Sequence, residues 1–418
     1  MGRYRLRPAW HRMMMMGGAA PAAPTIIGVE WNQSTDTWTR IDADGNSYAW
    51  SAAEINAHAT WGGMTRVNLA VAGTENAVYG GAGYAEDGTN GRVMVRVPQF
   101  WYKASSPSAN VYRWWISDMA TTGFAIHPAF YQRGGTAASN IYVGAYEADG
   151  YLDGTFKLHS RAGVTPVTGG VAYTNLPNAG RFNINDAEDY ANNIGSGWGC
   201  FNIWSRSAVT LLAMVEWGNL DSQTVLGKGI VDKAGGVNFA GENTASFNVN
   251  TNLDATLTGA GDDGLAGEAS DGLRPVTWRG IENLWGNAWS FVIGMNAIDA
   301  AYRVIKAAGL AAVTMSGELG AGEYDTSTAA PITSDGYISN IESESLLLPL
   351  LIGSATGGAS DTHIPDYQYS HDTGETNIVL LGGSWPEWGV YGGCMFLLVH
   401  NVASYSTRTV GARVEFIS

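Results

Sequence analysis

Cysteine is nearly absent. Two in 418 residues, Cys200 and Cys394, cannot build a disulfide framework or a four-ligand zinc site. They are read as buried thiols, although a single pairing stays open. Charge is also scarce: 15% of residues are Asp, Glu, Lys or Arg, against roughly 25% in ordinary soluble domains. The surface is therefore built on Gly, Asn, Ser, Thr and Ala. Basic residues are the scarcer sign, 23 against 38 acidic, and a net charge of −15 would repel a phosphate backbone. Nucleic acid is excluded as an expected partner. No apolar run of about 20 residues exists, so no membrane-inserted helix is expected; the longest late run, Leu346–Ile352, is short and contains Pro349.

Catalytic signatures are missing too. The seven histidines include no pair at i, i+4 and no HExxH. There is no Walker A loop and no GxSxG elbow. Residues 259–264 (GAGDDG) fit GxGxxG in letters only. No apolar strand precedes them, and Asp262 and Asp263 would repel a pyrophosphate. No cofactor is expected. The acidic turns at 42–46, 147–154 and 261–264 offer oxygen ligands of the kind Ca²⁺ takes, but none carries the EF-hand pattern.

What is abundant is glycine, 55 residues, together with 16 tryptophans. That pairing predicts a turn-rich α+β fold with few short helices, held by large aromatic anchors. At 45% hydrophobic the chain can bury a sizeable core. Strands are predicted over Ile26–Trp31, Trp38–Ile41, Arg92–Val97 and Val414–Ile417, with a turn at 42–46 and a polar loop at 80–91. Helices are predicted over Asp186–Ile194, Ser205–Gly218 and Ala297–Leu310. Asp186 and Ser205 or Ser207 would be the caps of the first two, and Gly218 the terminator of the second. Residues 1–25 carry Arg3, Arg5, Arg7 and Arg12 before a Met/Gly/Ala run. The outline is that of a signal peptide, but Met13–Ala20 barely reaches the length of an apolar h-region. The reading is a flexible arm that docks onto a larger assembly. The expected organisation is this arm, a small β-rich unit over 26–97, and a single domain over 98–418.

Several motifs stand in order along the chain: EDGTNG at 86–91, VPQFWYK at 97–103, GFAIHPAF at 123–130, VGAYE at 143–147, WRGIENLWGN at 278–287, LGGSW at 381–385, GGCMF at 392–396 and VGARV at 410–414. Together they resemble phage and prophage tail-fibre receptor-binding proteins of the major tropism determinant-like kind, which carry a C-type-lectin-like fold. That fold is shared with the formylglycine-generating enzymes. The resemblance runs from about Ile27 to Ser418. It implies a virion location and a host-cell surface receptor, protein or glycan, as partner. It also implies contact with other tail proteins through the arm, and a homotrimer. A bacterial surface adhesin of the same fold is the alternative. In this family the late tract is often rewritten by a diversity-generating retroelement.

Within that frame Gly382, Gly383, Trp385, Gly411 and Arg413 read as scaffold. Glu387, Trp388, Tyr391, His400, Asn401 and Tyr405 lie between the fixed points and are expected to face out and contact the receptor, whereas Phe396 and Leu398 pack inward. The formylglycine-generating oxidases need a cysteine pair in the loop after the GGxW-like motif. Here Cys394 stands alone, so no enzyme is expected.

Overall fold

The computed structural model describes residues 23–131, 136–169, 181–232, 272, 275–298, 301–306, 324–326, 334–339, 357–359, 364–370, 376–385 and 392–417. The fold is mixed α+β, rich in sheet and loop, and the longest helix among the described residues is Ile203–Trp217. Residues 1–22 of the arm, the GAGDDG segment and the acidic turn at 261–264 lie outside the described residues.

Three sheets carry the architecture. The first is antiparallel and pairs Ile26–Asn32 with both Thr37–Ile41 and Val111–Ser117. Period-two alternation puts Ile27, Val29 and Trp31 on its buried face, where Trp31 stacks on Trp38 at 5.5 Å and on Tyr112 at 5.8 Å. On the other face Gly28 leaves room for Trp115, whose ring a Cβ at residue 28 would strike. The second sheet has six strands, in the order Trp198–Cys200, Val414–Phe416, Asn140–Gly144, Arg92–Pro98, Thr65–Leu69, Glu75–Val78. Residues 26–97 thus share both of their sheets with strands beyond residue 98. The third sheet is centred on Trp289–Ile298, Asn377–Leu381 and Leu397–Asn401.

Helix Ile203–Trp217 lies within the core, buried along almost its whole length. Its polar side chains are buried too, and two of them are paired inside: Arg206 with the Cys394 carbonyl and Glu216 with Arg279. Its cap is Asn202, whose Oδ1 accepts from the Trp204 and Ser205 amides, and Gly218 ends it at φ 62°. Of the serines expected to cap it, Ser205 sits inside the first turn and Ser207 in the second. Helix Ile184–Asn192 is capped by Asn183, and Asp186 answers from the third position in a reciprocal capping box. The helix expected over Ala297–Leu310 is replaced by a hairpin. Trp289–Ile298 pairs antiparallel with Ala301–Ile305, where Ala297 and Tyr302 face one another across the turn. The run Tyr302, Val304 and Ile305 is β-branched and aromatic, and sheet pairing overrides its modest helix propensity.

Candidate functional site

The ordered motifs converge in the interior. Glu147, the last residue of VGAYE, is buried and accepts from the side-chain amides of Asn283 (3.0 Å) and Asn287 and from the Ala288 amide (3.1 Å). Asn283 and Asn287 adopt φ 51° and 62°, the left-handed conformation asparagine tolerates best after glycine. Burial pushes the Glu147 carboxyl up, and its three donors and nearby Arg413 pull it back. Arg413 of VGARV donates to the carbonyl oxygens of Gly144 (2.7 Å), Glu282 (2.6 Å) and Asn283 (2.9 Å). Desolvation lowers its guanidinium pKa to about 10. Two more motif residues do similar work. Arg279 forms a buried ion pair with Glu216 of the core helix (2.7 Å), and Trp278 donates to the same carboxylate at 2.9 Å. These buried pairs hold the frame from inside.

The late frame has a closed base. Strand Asn377–Leu381 runs into Gly382 and Gly383, at φ 94° and 79°. A Cβ on Gly383 would lie 2.7 Å from the Gly392 Cα, so the two ends of the tract meet backbone to backbone. On the incoming side Gly286 N–H donates to Gly382 O at 3.0 Å, and Trp385 N–H donates to Asn287 O at 3.0 Å. Trp385 itself is buried, with the Arg408 guanidinium 5.5 Å above its ring. On the outgoing side Gln223 donates to Gly392 O, and Ser222 Oγ accepts from Cys394 N–H at 2.9 Å. Arg206 donates to Cys394 O at 2.9 Å, and Asp366 Oδ2 accepts from Met395 N–H at 2.6 Å. Of the five residues expected as scaffold, Gly382, Gly383 and Trp385 lie on the incoming side of the tract, and Arg413 binds the Gly144, Glu282 and Asn283 carbonyls. Gly411 is buried and pairs in parallel with Ser290.

Of the residues expected to face out, Glu387, Trp388 and Tyr391 lie outside the described residues. His400 is exposed and sits edge-on to Tyr369 at 5.5 Å, and Tyr405 is half-buried. Asn401 is a correction: only 8% exposed, it points into the sheet. It follows His400 on strand Leu397–Asn401, and neighbours on a strand face opposite ways. Phe396 and Leu398 are buried as expected. Tyr337, Tyr367 and Tyr369, which no motif marks, continue the aromatic face beside His400 with ring centroids 5.0–5.2 Å apart. They fall in short strands without a motif; spotting them required the pairing of Tyr367 with Tyr337.

Several other reactive groups among the described residues are enclosed. Cys200 and Cys394 are free, buried thiols, and burial pushes both pKa values up. Ser207 Oγ lies 3.4 Å from His127 Nε2, but both are fully buried and the imidazole lies among Phe100, Tyr102 and Phe130. Among the described residues no group of three or more His, Cys, Asp or Glu is placed to hold a metal. In the turn at 42–46, Asp42 accepts from the Asp44 and Asn46 amides at 3.0 and 2.8 Å, and Asp149 binds Arg161 at 2.7 Å. These carboxylates are committed to turns and ion pairs.

No protein-family model matches the chain, and no curated protein matches its sequence significantly.

Proposed function

We propose that this chain is a receptor-binding protein of a phage tail, with a C-type-lectin-like scaffold that presents residues 386–391 and the His400 face to a host-cell surface receptor. The observation that carries this reading is the closed base of the late tract. A tract whose two ends abut at Gly383 and Gly392, each end held by its own donors, can change its side chains while the fold beneath stays fixed. The aromatic and amide composition of 386–405 suits a contact surface of large rings and adaptable hydrogen bonds. The same resemblance supports a homotrimer on the virion joined through the basic arm, several weak sites gaining avidity together. An oxidase of the formylglycine-generating type is not adopted. That chemistry needs a pair of accessible thiolates, whereas Cys394 is single, buried and held in the thiol form.

The test is a set of single alanine variants at Trp388, Tyr391 and His400, each measured for melting and for adsorption to host cells. Loss of adsorption at unchanged melting temperature supports the reading. Variants that unfold with no separable adsorption defect overturn it.

A further inference from the structure

Four rings line one side of the third sheet. Tyr367 and Tyr369 are two apart on a strand and share a side, while Gln368 between them turns inward and is fully buried. Tyr337 stands directly opposite Tyr367 across an antiparallel pair, and Tyr369 stands beside Leu398 across a parallel one. His400, two residues beyond Leu398, is brought to the same side. From Tyr337 through Tyr367 and Tyr369 to His400 the ring centroids follow at 5.2, 5.0 and 5.5 Å, turned by 86°, 60° and 87°. Rings at such angles form walls rather than a flat platform. Tyr369 rests edge-on against buried Phe396 at 6.0 Å, which holds the walls from beneath. The three tyrosines are half-buried and His400 is exposed, so the face reaches solvent.

The charge around these rings has one sign. The exposed Asp335 carboxylate accepts from the Ser370 amide and hydroxyl, both at 2.7 Å, and so sits beside the Tyr337 and Tyr369 strands. The segments that build the face, 334–339, 364–370 and 397–405, contain no lysine or arginine, and the chain carries −15 overall. An anionic ligand is disfavoured there. A cation is favoured twice, by the carboxylate and by ring faces whose quadrupoles attract positive charge. A lysine ammonium is strongly hydrated and costly to strip, whereas a quaternary ammonium presents methyl groups that the rings can cover.

We propose that this face binds a quaternary ammonium group of the choline type, carried as a substituent on a host-surface glycan. Tyr337, Tyr367, Tyr369 and His400 are its aromatic walls and Asp335 its counter-charge. The phenol and imidazole polar atoms suit the hydroxyl groups of the carrier. The inference deepens the receptor-binding reading and rests on it for the carrier, but the cation site is tested without a host.

The experiment titrates the full chain with choline, read by calorimetry and saturation-transfer NMR, against an uncharged isostere with tert-butyl in place of trimethylammonium. Choline is expected to bind and the isostere to bind several-fold more weakly. Tyr369→Ala and His400→Ala should each weaken choline by about 2–30-fold, the span of cation–π contacts from exposed to desolvated sites. Tyr369→Phe keeps the ring and should bind like the parent. Asp335→Asn keeps an acceptor for Ser370 and should weaken choline by about 2–5-fold. Should Tyr369→Ala fail to fold, Tyr337→Ala is read by the same criteria. An isostere that binds as well as choline, neutral sugars bound in its place, or ring variants that bind like the parent overturn the inference. Phosphatidylcholine vesicles that retain the protein as well as a choline-substituted polysaccharide does overturn the choice of carrier. Host-cell adsorption separates the two ideas. Choline that binds but leaves adsorption unchanged keeps the site and sinks the receptor-contact reading of this face. A chain that binds no choline, yet loses adsorption on His400→Ala, keeps that reading and sinks the inference.

Discussion

Arg413 donates to the carbonyl oxygen of Gly144 at 2.7 Å, across 269 residues of chain. The same guanidinium satisfies Glu282 O and Asn283 O and lies near the Glu147 carboxylate, so one cation ties the VGAYE, WRGIENLWGN and VGARV segments together. Removing one partner from a buried charged network leaves the others uncompensated, at about 3–5 kcal/mol. Arg413→Ala is expected to lose that much in denaturant unfolding. Arg413→Lys should recover little, because an ammonium cannot reproduce the planar fork that spans these carbonyls. A lysine variant as stable as the parent would remove this node from the account.

Acid should weaken the fold before carboxylates titrate. Desolvation depresses His58 to about 4, and His127 and His159 to about 3. An unfolded histidine titrates near 6.5, so as pH falls the unfolded chain takes up protons first. Their contribution is complete above about pH 6.5 and is lost progressively between there and about pH 3. His127 Nδ1 accepts from the Ala129 amide, a bond that protonation abolishes. His127→Gln keeps an acceptor and removes the titration. Melting temperature followed from pH 7 to pH 4 should fall less steeply in that variant than in the parent; equal slopes would show that this histidine does not contribute.

Trp385 and Gly383 should answer to substitution as structure. Truncating a buried tryptophan costs about 3–5 kcal/mol, so Trp385→Ala is expected to unfold much of the protein at temperatures where the parent is native. Gly383→Ala combines a left-handed backbone with a Cβ set against the Gly392 Cα, a strain of about 1–3 kcal/mol. Circular-dichroism melts check both, and an unshifted midpoint for Gly383→Ala would mean that the base of the tract is not closed as described.

Asp366 should be more stabilising as an amide. It is fully buried, burial raises its carboxyl well above the usual range, and its Oδ1 has no hydrogen-bond partner among the described residues. A raised native pKa means that stability is greatest below about pH 4 and declines as pH rises toward the native value. Asp366→Asn keeps an acceptor for the Met395 amide and carries no charge. It is expected to gain roughly 1 kcal/mol at pH 8 and nothing at pH 3, measured by chemical denaturation. A loss at pH 8 would contradict the account.

Strand pattern and glycine punctuation were legible in the sequence to a useful degree. Ile26–Trp31, Trp38–Ile41 and Arg92–Val97 each fall within an observed strand, because period-two burial and β-branched content act locally. Gly218 ends its helix as read, since only a left-handed residue closes it so simply. The hairpin at Trp289–Ile305 was not legible, because its pairing partner Asn377–Leu381 lies about 80 residues downstream. Nor were the buried cations. Nothing local separates Arg66, Arg206, Arg279 and Arg413, all inside, from Arg113, which is partly exposed beside Glu30. What distinguishes them is a set of carbonyls and carboxylates brought near by the fold. For the site, the alternation that turns Asn401 inward was available from the strand pattern, whereas the tyrosines beside His400 depend on a parallel pairing between Tyr367–Tyr369 and Leu397–Asn401 that no short motif encodes.

Val414–Phe416 lies between Trp198–Cys200 and Asn140–Gly144, in the interior of the six-stranded sheet. A ribosome therefore makes all the other strands of that sheet before it makes the one that joins them. Any insertion or deletion in the preceding tract that shifts the reading frame deletes this strand, and with it the join between the two sides of the sheet. A chain so altered is left with Trp198–Cys200 and Asn140–Gly144 as two open edges in place of the join.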